Sequence, residues 1–386
     1  MVRNNLMALR KLHGQLHEKL ESHKKQLFCK DLIKKGQAIE KNLSGNKRVE
    51  ENYPIDLVIP WVDGSDPAWR AEKAKYEDSI NNINNDEARF RDWGIFQFWF
   101  RAIERYMPWV NRVYFITWGH IPEWLNVHFS KLRIIRHEDI IPKEYLPTFS
   151  SHTIEWNIHR IPQLSEHFIY FNDDVFPMKQ LDKEDFFCNG LPRYCAITKP
   201  IHMFNHMNAH RHARINGFGI MNSYFDIKQC IENNPEKWFT RQYGEDIKYN
   251  IRTYEEGEIY GMHLSHLGVP FRKSTMEAFC KEFSESVKST CQRRFRSSDD
   301  IMHQCVQMWE IFHGTFEPVG KSYYGSLLYP TAENIEQVVE AIRGESNRML
   351  CINDFEFLRG DEWYLVRKKV QEALTERFPE KSSFEL

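Results

Sequence analysis

No stretch of this 386-residue chain is apolar for long enough to cross a bilayer, and no two of its eight cysteines are spaced Cys-x-x-Cys. The first absence argues against a membrane-spanning protein. The second removes the thioredoxin-like pair, and no His/Cys cluster has zinc spacing. Net charge is only -2, so no global field draws in nucleic acid or acidic substrates. Internal repeats and low-complexity linkers are missing too, which argues against solenoids and flexible multidomain arrays. The N-terminus carries no signal-peptide pattern, so the expectation is a cytoplasmic protein with reduced thiols.

What is present is a chain long enough to bury a sizeable core. Aromatic residues make up 14 %, including 11 Trp. Sugar sites use such rings, but a large core uses them as well, and the core is the plainer reading. Residues 1–50 stand apart, with twelve Lys/Arg against five Asp/Glu and leucines at helical spacing, namely Leu6, Leu9, Leu12, Leu16 and Leu20. One or two amphipathic helices are expected there. They suit adhesion to the anionic inner face of a membrane, or packing on the main domain or a partner.

From Ile55 the pattern is α/β. Strands are expected at Ile55–Pro60, Val113–Thr117, Leu132–Arg136 and Phe168–Phe171, and helices at Asp92–Tyr106 and Glu155–Leu164. Strand and helix signals alternating every 20 to 30 residues or so describe βαβ units of a mostly parallel, Rossmann-like sheet. Past residue 200 helical patterns dominate, at Ser223–Asn250, Ser274–Phe283, Asp300–Phe312 and Ala332–Arg343, with Gly217-Phe-Gly219 reading as a turn and Met349–Ile352 as one more buried segment. The expected layout is an extension over 1–50 and a catalytic domain over 51–386. That domain would have its sheet core at about 51–200, a helical lid and acceptor part at about 201–345, and a closing segment at 346–386.

Several polar clusters interrupt this pattern. Phe168-Ile-Tyr-Phe171 ends in Asn172-Asp173-Asp174, so a buried strand would deliver two carboxylates to the sheet's C-terminal mouth, where α/β folds place ligands. Asn and Asp also make ordinary turns, but a doubled carboxylate suits a hard divalent cation, Mg²⁺ or Mn²⁺, with a phosphate on it. Asn353-Asp354 repeats the arrangement after Met349–Ile352. Trp61-Val-Asp63-Gly64-Ser65-Asp66 follows the first strand and reads as a nucleotide-approaching loop or as a turn with a helix cap at Ser65 or Asp66. His263 and His266 precede Arg272-Lys273, and Arg293-Arg-Phe-Arg296 leads into Ser297-Ser298, a candidate cap for a helix starting near Asp299. His202, His206, His210 and His212 mix with Asn and Arg, which favours a polar loop or acceptor surface over zinc.

Together these segments resemble the Stealth family of sugar-phosphate transferases. The match runs through four regions: Ile55–Asp66; a long second stretch with Arg89-Phe-Arg-Asp92, Leu146–Ser151, His159-Arg-Ile161 and Asn172-Asp-Asp174; His266, Lys273, Arg296 and Asp299-Asp300; and Cys351-Ile-Asn353-Asp354. It covers about residues 53 to 386. One departure is Leu267-Gly-Val-Pro270, where many relatives carry another small Pro motif.

The resemblance implies a Rossmann-like fold related to nucleotide-sugar glycosyltransferases. It implies transfer of a hexose-1-phosphate from a UDP-sugar to a sugar hydroxyl of an oligosaccharide or lipid-linked saccharide, with UMP released, in capsule or cell-surface polysaccharide synthesis. Asp174, His266, Arg296 and Asp354 match the positions tied to activity. The metal set would be Asp173, Asp174, Asn353 and Asp354. Substrate contacts would come from Trp61, Asp63, Gly64, Ser65, Asp66, Arg89, Asp92 and Lys273. A glycosyltransferase that releases UDP uses the same kind of donor, metal and fold and is the alternative reading.

Overall fold

The computed structural model describes residues 19, 27–41, 52–77, 89–202, 209–354 and 358–386. Eleven strands are present among them: β1 (Ile55–Trp61), β2 (Val113–Thr117), β3 (Leu132–Arg136), β4 (His167–Tyr170), β5 (Val175–Pro177), β6 (Phe187–Cys188), β7 (Leu191–Tyr194), β8 (Val269–Arg272), β9 (Glu317–Pro318), β10 (Gly325–Leu328) and β11 (Met349–Ile352). The central sheet has the order β3-β2-β1-β4-β8. Its first four strands run parallel, and β8 closes the edge antiparallel to β4.

Alternation along the strands explains why this sheet is covered on both faces. Ile55, Leu57, Ile59, Phe115 and Ile169 enter one apolar core, while Val58, Tyr114, Ile116, Phe168 and Tyr170 enter the other. The helix Phe96–Tyr106 seals the first core with Phe96, Trp99, Phe100 and Ile103. Against that core also lies the C-terminal tail, where Glu385 accepts from Arg101 Nε (2.8 Å) and Nη2 (2.6 Å). The second core is roofed by helices of the later half, including Ala209–Tyr224 and Gln304–His313.

Two smaller sheets have the orders β10-β11-β5 and β6-β7-β9. The first matters most for the site. β11 pairs antiparallel with β5, and β5 follows β4 after only Phe171 to Asp174. The two acidic corners, Asn172-Asp-Asp174 and Asn353-Asp354, are therefore drawn to one place: Ile352 N donates to Asp174 O at 2.8 Å.

Several helix expectations change. Asp92 does not open a helix. Its Oδ1 accepts from Gly94 N (2.9 Å), and Gly94 has φ +62°, so the helix begins only at Phe96. The Glu155–Leu164 helix is instead Ser151–Trp156 followed by a short 3-10 turn, well before Pro162. Gly217 and Gly219 lie inside the helix Ala209–Tyr224 and not in a turn. A Cβ at Gly217 would stand 2.7 Å from Cys305 Sγ, so this glycine serves close packing. Ser223–Asn250 is broken at Asp226, which caps Ile227–Asn233, and at Pro235. Ser297 and Ser298 cap no helix; Asp300 Oδ2 accepts from Ser297 N (2.8 Å), and the helix starts at Gln304.

The basic extension is described over 27–41, where it is helical; Leu6 to Leu20 fall outside the described residues. The 27–41 helix buries Cys29 and Leu32 in the second core and stacks Phe28 on Tyr254 at 6.0 Å. Glu40 accepts from Thr240 Oγ1 at 2.5 Å. This part of the extension thus spends its apolar side on the chain itself. Among the described residues no helix is long and apolar enough to cross a membrane, and all eight cysteines are free thiols.

Candidate active site

The site forms at the C-terminal mouth of β1 and β4. β4 is buried along Phe168, Ile169 and Tyr170, so its apolar residues anchor the strand and hand the next three polar side chains to the rim. Asn353 Nδ2 donates to Asp174 Oδ2 at 2.9 Å. Asp174 Oδ1 is buried and makes no hydrogen bond of normal geometry among the described residues, although the neighbouring Cys351 thiol helps stabilise the carboxylate. An orphaned, buried carboxylate oxygen costs free energy unless something cationic faces it.

His266 enters from the loop before β8. Its Nε2 lies 3.3 Å from both Asn172 Nδ2 and Asn353 Nδ2. Two amide donors converging on one ring nitrogen require that nitrogen to carry its lone pair, with those amide orientations. Among the described residues Asp174, His266 and Cys351 form a group of His, Cys, Asp or Glu whose ligand atoms all lie within 4.8 Å of one another. Burial, with the charge of Asp174 next, pushes the Cys351 thiol well above its ordinary range, so it is a protonated core group and not a ligand for a hard cation.

The carboxylates are the better donors. Burial raises the Asp174 carboxyl, with His266 opposing. Asp173 is solvent-exposed at the rim, yet the desolvating surroundings and then the charges of Asp174 and Asp92 push it up to about 8. Solvent at an exposed side chain tempers such a shift. Burial also raises Asp92, with the Gly94 N–H and the Arg367 charge opposing it and the Asp63 charge adding to it. Asp173 and Asp174 are neighbouring acids whose mutual repulsion a divalent cation would relieve.

Cationic groups lie near this cluster. Arg296 Nη2 donates to Ser151 Oγ at 2.6 Å. His210 is held well below its ordinary range by burial and then by the charges of Arg296, His152, His266 and Arg214. Of the four crowded histidines, His210 is the one set against Arg296 and His266 in this way; His206 lies outside the described residues.

Other expected site residues have structural partners. Asp354 is gripped by Arg91 through both carboxylate oxygens, and Arg91 Nη1 also donates to Leu358 O at 2.8 Å. That carboxylate is satisfied by the guanidinium and stands outside the Asp174 group. Asp66 caps the helix Pro67–Ala74, accepting from Trp69 N at 2.7 Å. Asp63 accepts from Ser65 N (2.8 Å) and Oγ (2.6 Å), and its own N–H donates to His120 Nδ1 at 3.0 Å. Trp61 stacks on Phe96 at 5.4 Å. Gly64 is required by sterics, since a Cβ there would lie 1.9 Å from Phe90 O. Arg89 sits at the start of the segment that carries Arg91 and Asp92.

Lys273 is not brought to this cluster. β8 runs antiparallel to β4, so Val269 pairs with Tyr170 at the mouth while Arg272 pairs with His167 at the far end. Lys273 N donates to Glu166 O at 2.7 Å, below the sheet. Glu155, Tyr170 and His303, by contrast, form a buried group behind Asn172 whose pairing no local sequence signal marks.

Comparison with known proteins bears on this geometry. Residues 53–80 match Stealth protein conserved region 1, and residues 89–193 match Stealth protein conserved region 2. The capsular polysaccharide phosphotransferase WcwK of Streptococcus pneumoniae is 42 % identical over 342 residues, covering 86 % of this chain and 98 % of WcwK. The receptor polysaccharide phosphotransferase WefC of Streptococcus gordonii is 36 % identical, covering 86 % and 99 %. The exopolysaccharide phosphotransferase cps2G of Lactiplantibacillus plantarum is 34 % identical, covering 86 % and 96 %. Among solved structures, galactosyltransferase LgtC in complex with donor and acceptor sugar analogs aligns over 83 % of this chain and 95 % of its own, with 10 % identity and a TM-score of 0.34, too slight a likeness to transfer a residue or an activity. By its sequence relatives, this chain belongs to the Stealth family of polysaccharide phosphotransferases.

Proposed function

We propose that the protein transfers a hexose-1-phosphate from a UDP-sugar to a sugar hydroxyl, forming a phosphodiester in a capsular or cell-surface polysaccharide. The observation that carries the reading is the convergence of Asp174, Asn353 and His266 at one mouth, with Asp174 Oδ1 buried and outside any hydrogen bond of normal geometry. Family membership supplies the reaction class.

Asp174 and Asp173, with the amide oxygen of Asn353, are the residues that would hold Mg²⁺ or Mn²⁺, which when bound supplies charge neutralisation on the pyrophosphate. His266 accepts the proton of the acceptor hydroxyl at Nε2, the hydroxyl replacing an amide donor of Asn172 or Asn353 there, a role worth about 10²- to 10⁴-fold. The hydroxyl oxygen bonds to the β-phosphorus, and the bridging P–O bond breaks. Its electron pair leaves with UMP. Arg296 faces the phosphoryl charge. The Trp61 to Asp66 loop, fixed by His120 and the Asp66 cap, receives the nucleoside end. Asp354 acts here through Arg91, which it holds beside Asp92. The acceptor is an oligosaccharide or lipid-linked saccharide at a cytoplasmic face.

The test is a panel of UDP-sugars with Mg²⁺ and saccharide acceptors, with the released nucleotide identified. UMP and a phosphodiester resonance in the ³¹P spectrum are expected. Release of UDP with a glycosidic product sinks the proposal.

A further inference from the structure

Behind the mouth lies a line of hydrogen-bonded side chains that leads away from Asn172 into the protein. Tyr170, the last residue of β4, is 3 % exposed, and its hydroxyl lies 2.9 Å from Asn172 Oδ1 and 3.2 Å from Glu155 Oε1. Glu155 is 6 % exposed and its Oε2 lies 2.8 Å from Nδ1 of His303, which is 2 % exposed. Asn172 Nδ2 in turn faces His266 Nε2. The line is therefore His303, Glu155, Tyr170, Asn172, His266.

A tyrosine hydroxyl has one proton, so it can donate to only one of its two acceptors at a time. Donated to Asn172 Oδ1, it fixes the amide with Nδ2 toward His266. The Asn172 amide then presents its donor to the ring nitrogen that must carry the lone pair. Glu155 Oε1 is the competing acceptor on the phenol's other side, and Glu155 is itself held by His303.

The same short helix, Ser151–Trp156, reaches the cationic groups. Ser151 Oγ accepts from Arg296, and His152 Nδ1 lies 2.9 Å from Asp300 Oδ2 just beyond the Arg296 loop. Ser151 and Glu155 stand four residues apart, on one helical face. Although burial alone would raise the Glu155 carboxyl, His303, and behind it His152 and Arg296, hold it well below the usual range. The helix is thus tied at one end to Arg296 and at the other to Asn172.

We infer that Glu155 and Tyr170 are positioning residues for the transfer reaction: through Asn172 they set the orientation of His266, and through the shared helix they set the separation of Arg296 from it. This deepens the proposed function and rests on that reading of His266 and Arg296. Neither side chain is placed to touch substrate. Their loss therefore lowers kcat and leaves donor KM close to its wild-type value, because the groups that bind the donor remain.

The molecule contains its own control. Tyr194 is 1 % exposed and its hydroxyl lies 2.6 Å from Pro270 O and 2.8 Å from Glu310 Oε2, in a buried Tyr–Glu pair that lies off the His303-to-His266 line. Steady-state nucleotide release, UMP and UDP both quantified, is measured for wild type, Tyr170→Phe, Glu155→Gln and Tyr194→Phe, alongside each Tm. Tyr170→Phe should lose about 10- to 100-fold in kcat with donor KM within about 2-fold, as expected for misplacement of a reacting group. Tyr194→Phe should lose a comparable amount of Tm and keep its kcat. Equal kcat in Tyr170→Phe and wild type, or equal kcat losses in the two phenylalanine variants, overturns the inference. If Glu155→Gln does not accumulate as folded protein, Tyr170→Phe decides alone, since it leaves the Glu155–His303 pair in place. Should wild type release UDP in place of UMP, the transfer reading falls while the kcat comparison still judges the positioning. A wild type that releases neither nucleotide overturns both.

Discussion

Asp174→Asn separates a functional carboxylate from a structural one. The substituted amide keeps the side chain's shape, and its oxygen can still accept from Asn353 Nδ2. What disappears is the charge and the unpartnered Oδ1. Burial raises the Asp174 carboxyl in the folded protein, with His266 opposing. A carboxyl whose folded pKa exceeds its unfolded value weakens the fold as pH rises past the unfolded value of about 3.9, and the full cost is present above the folded value. Asparagine carries no such cost. In a chelator at pH 7 to 8, the variant should therefore unfold at the same temperature as wild type or above it, and any gain should vanish near pH 4.

Mg²⁺ reverses the order. At about 100 times its dissociation constant a bound ion stabilises the fold by about 2.7 kcal/mol. An unfolding entropy of about 2.1 cal/mol/K per residue over 386 residues is about 0.8 kcal/mol/K, so wild type should gain about 3 °C. The variant should gain nothing, and its turnover should fall about 10²- to 10³-fold. Differential scanning calorimetry with and without Mg²⁺, beside a nucleotide-release assay, reads all three quantities. A variant that loses Tm in chelator, keeps the Mg²⁺ shift, or turns over near the wild-type rate refutes the reasoning.

Other substitutions test the frame around the site. Gly64→Ala forces a Cβ to within 1.9 Å of Phe90 O, so urea denaturation should show a loss of about 1–3 kcal/mol together with a raised donor KM. Gly219→Ala meets open space inside a helix and should instead be neutral or stabilising by up to about 1 kcal/mol in the same titration. Glu385→Gln breaks a buried bidentate pair with Arg101 and should cost about 3–5 kcal/mol. Burial would raise the Glu385 carboxyl, but Arg101 and the Ser382 N–H outweigh it and hold it low. Its contribution is thus present above the unfolded value of about 4.3 and lost as pH falls below that, so the slope of Tm between pH 5 and 3 should be shallower in Glu385→Gln.

The strands were legible because their signals are local. Val113–Thr117 and Leu132–Arg136 appear with the expected bounds, since Val-Tyr-Phe-Ile-Thr is wholly β-branched or aromatic and Leu-Arg-Ile-Ile-Arg holds three aliphatic residues in five between turns. Asn172-Asp-Asp174 was legible for the same reason, as a break in a buried run. What stayed hidden depends on pairing between distant segments. Nothing near Lys273 says that β8 runs antiparallel to β4, yet that direction alone separates it from His266 by the length of a strand. His303 lies 148 residues from Glu155, and neither has a pattern around it that names the other. Gly94 at φ +62° moved the start of a helix that periodicity placed at Asp92.

The hidden contacts also explain how the two acidic corners are used differently. Asn353 and Asp354 are neighbours on one loop, and the resemblance implies a ligand role for both. β11 pairs with β5 in a register that sets Cys351 against Val175, so Asn353 falls beside Asp174. Asp354 then points to Arg91, whose guanidinium also lies 5.0 Å from the Trp363 ring and anchors the segment bearing Asp92. A strand's two-residue alternation makes adjacent side chains diverge, so one corner can supply a group to the site and a brace to its frame. On this geometry Asp354→Asn weakens the hold on Arg91 and Asp92, whereas Asn353→Ala removes the amide shared by Asp174 and His266. The first should therefore raise donor KM through loosening of the Arg91 to Asp92 segment, and the second should depress kcat directly. Equal effects of both substitutions on both constants would contradict this division.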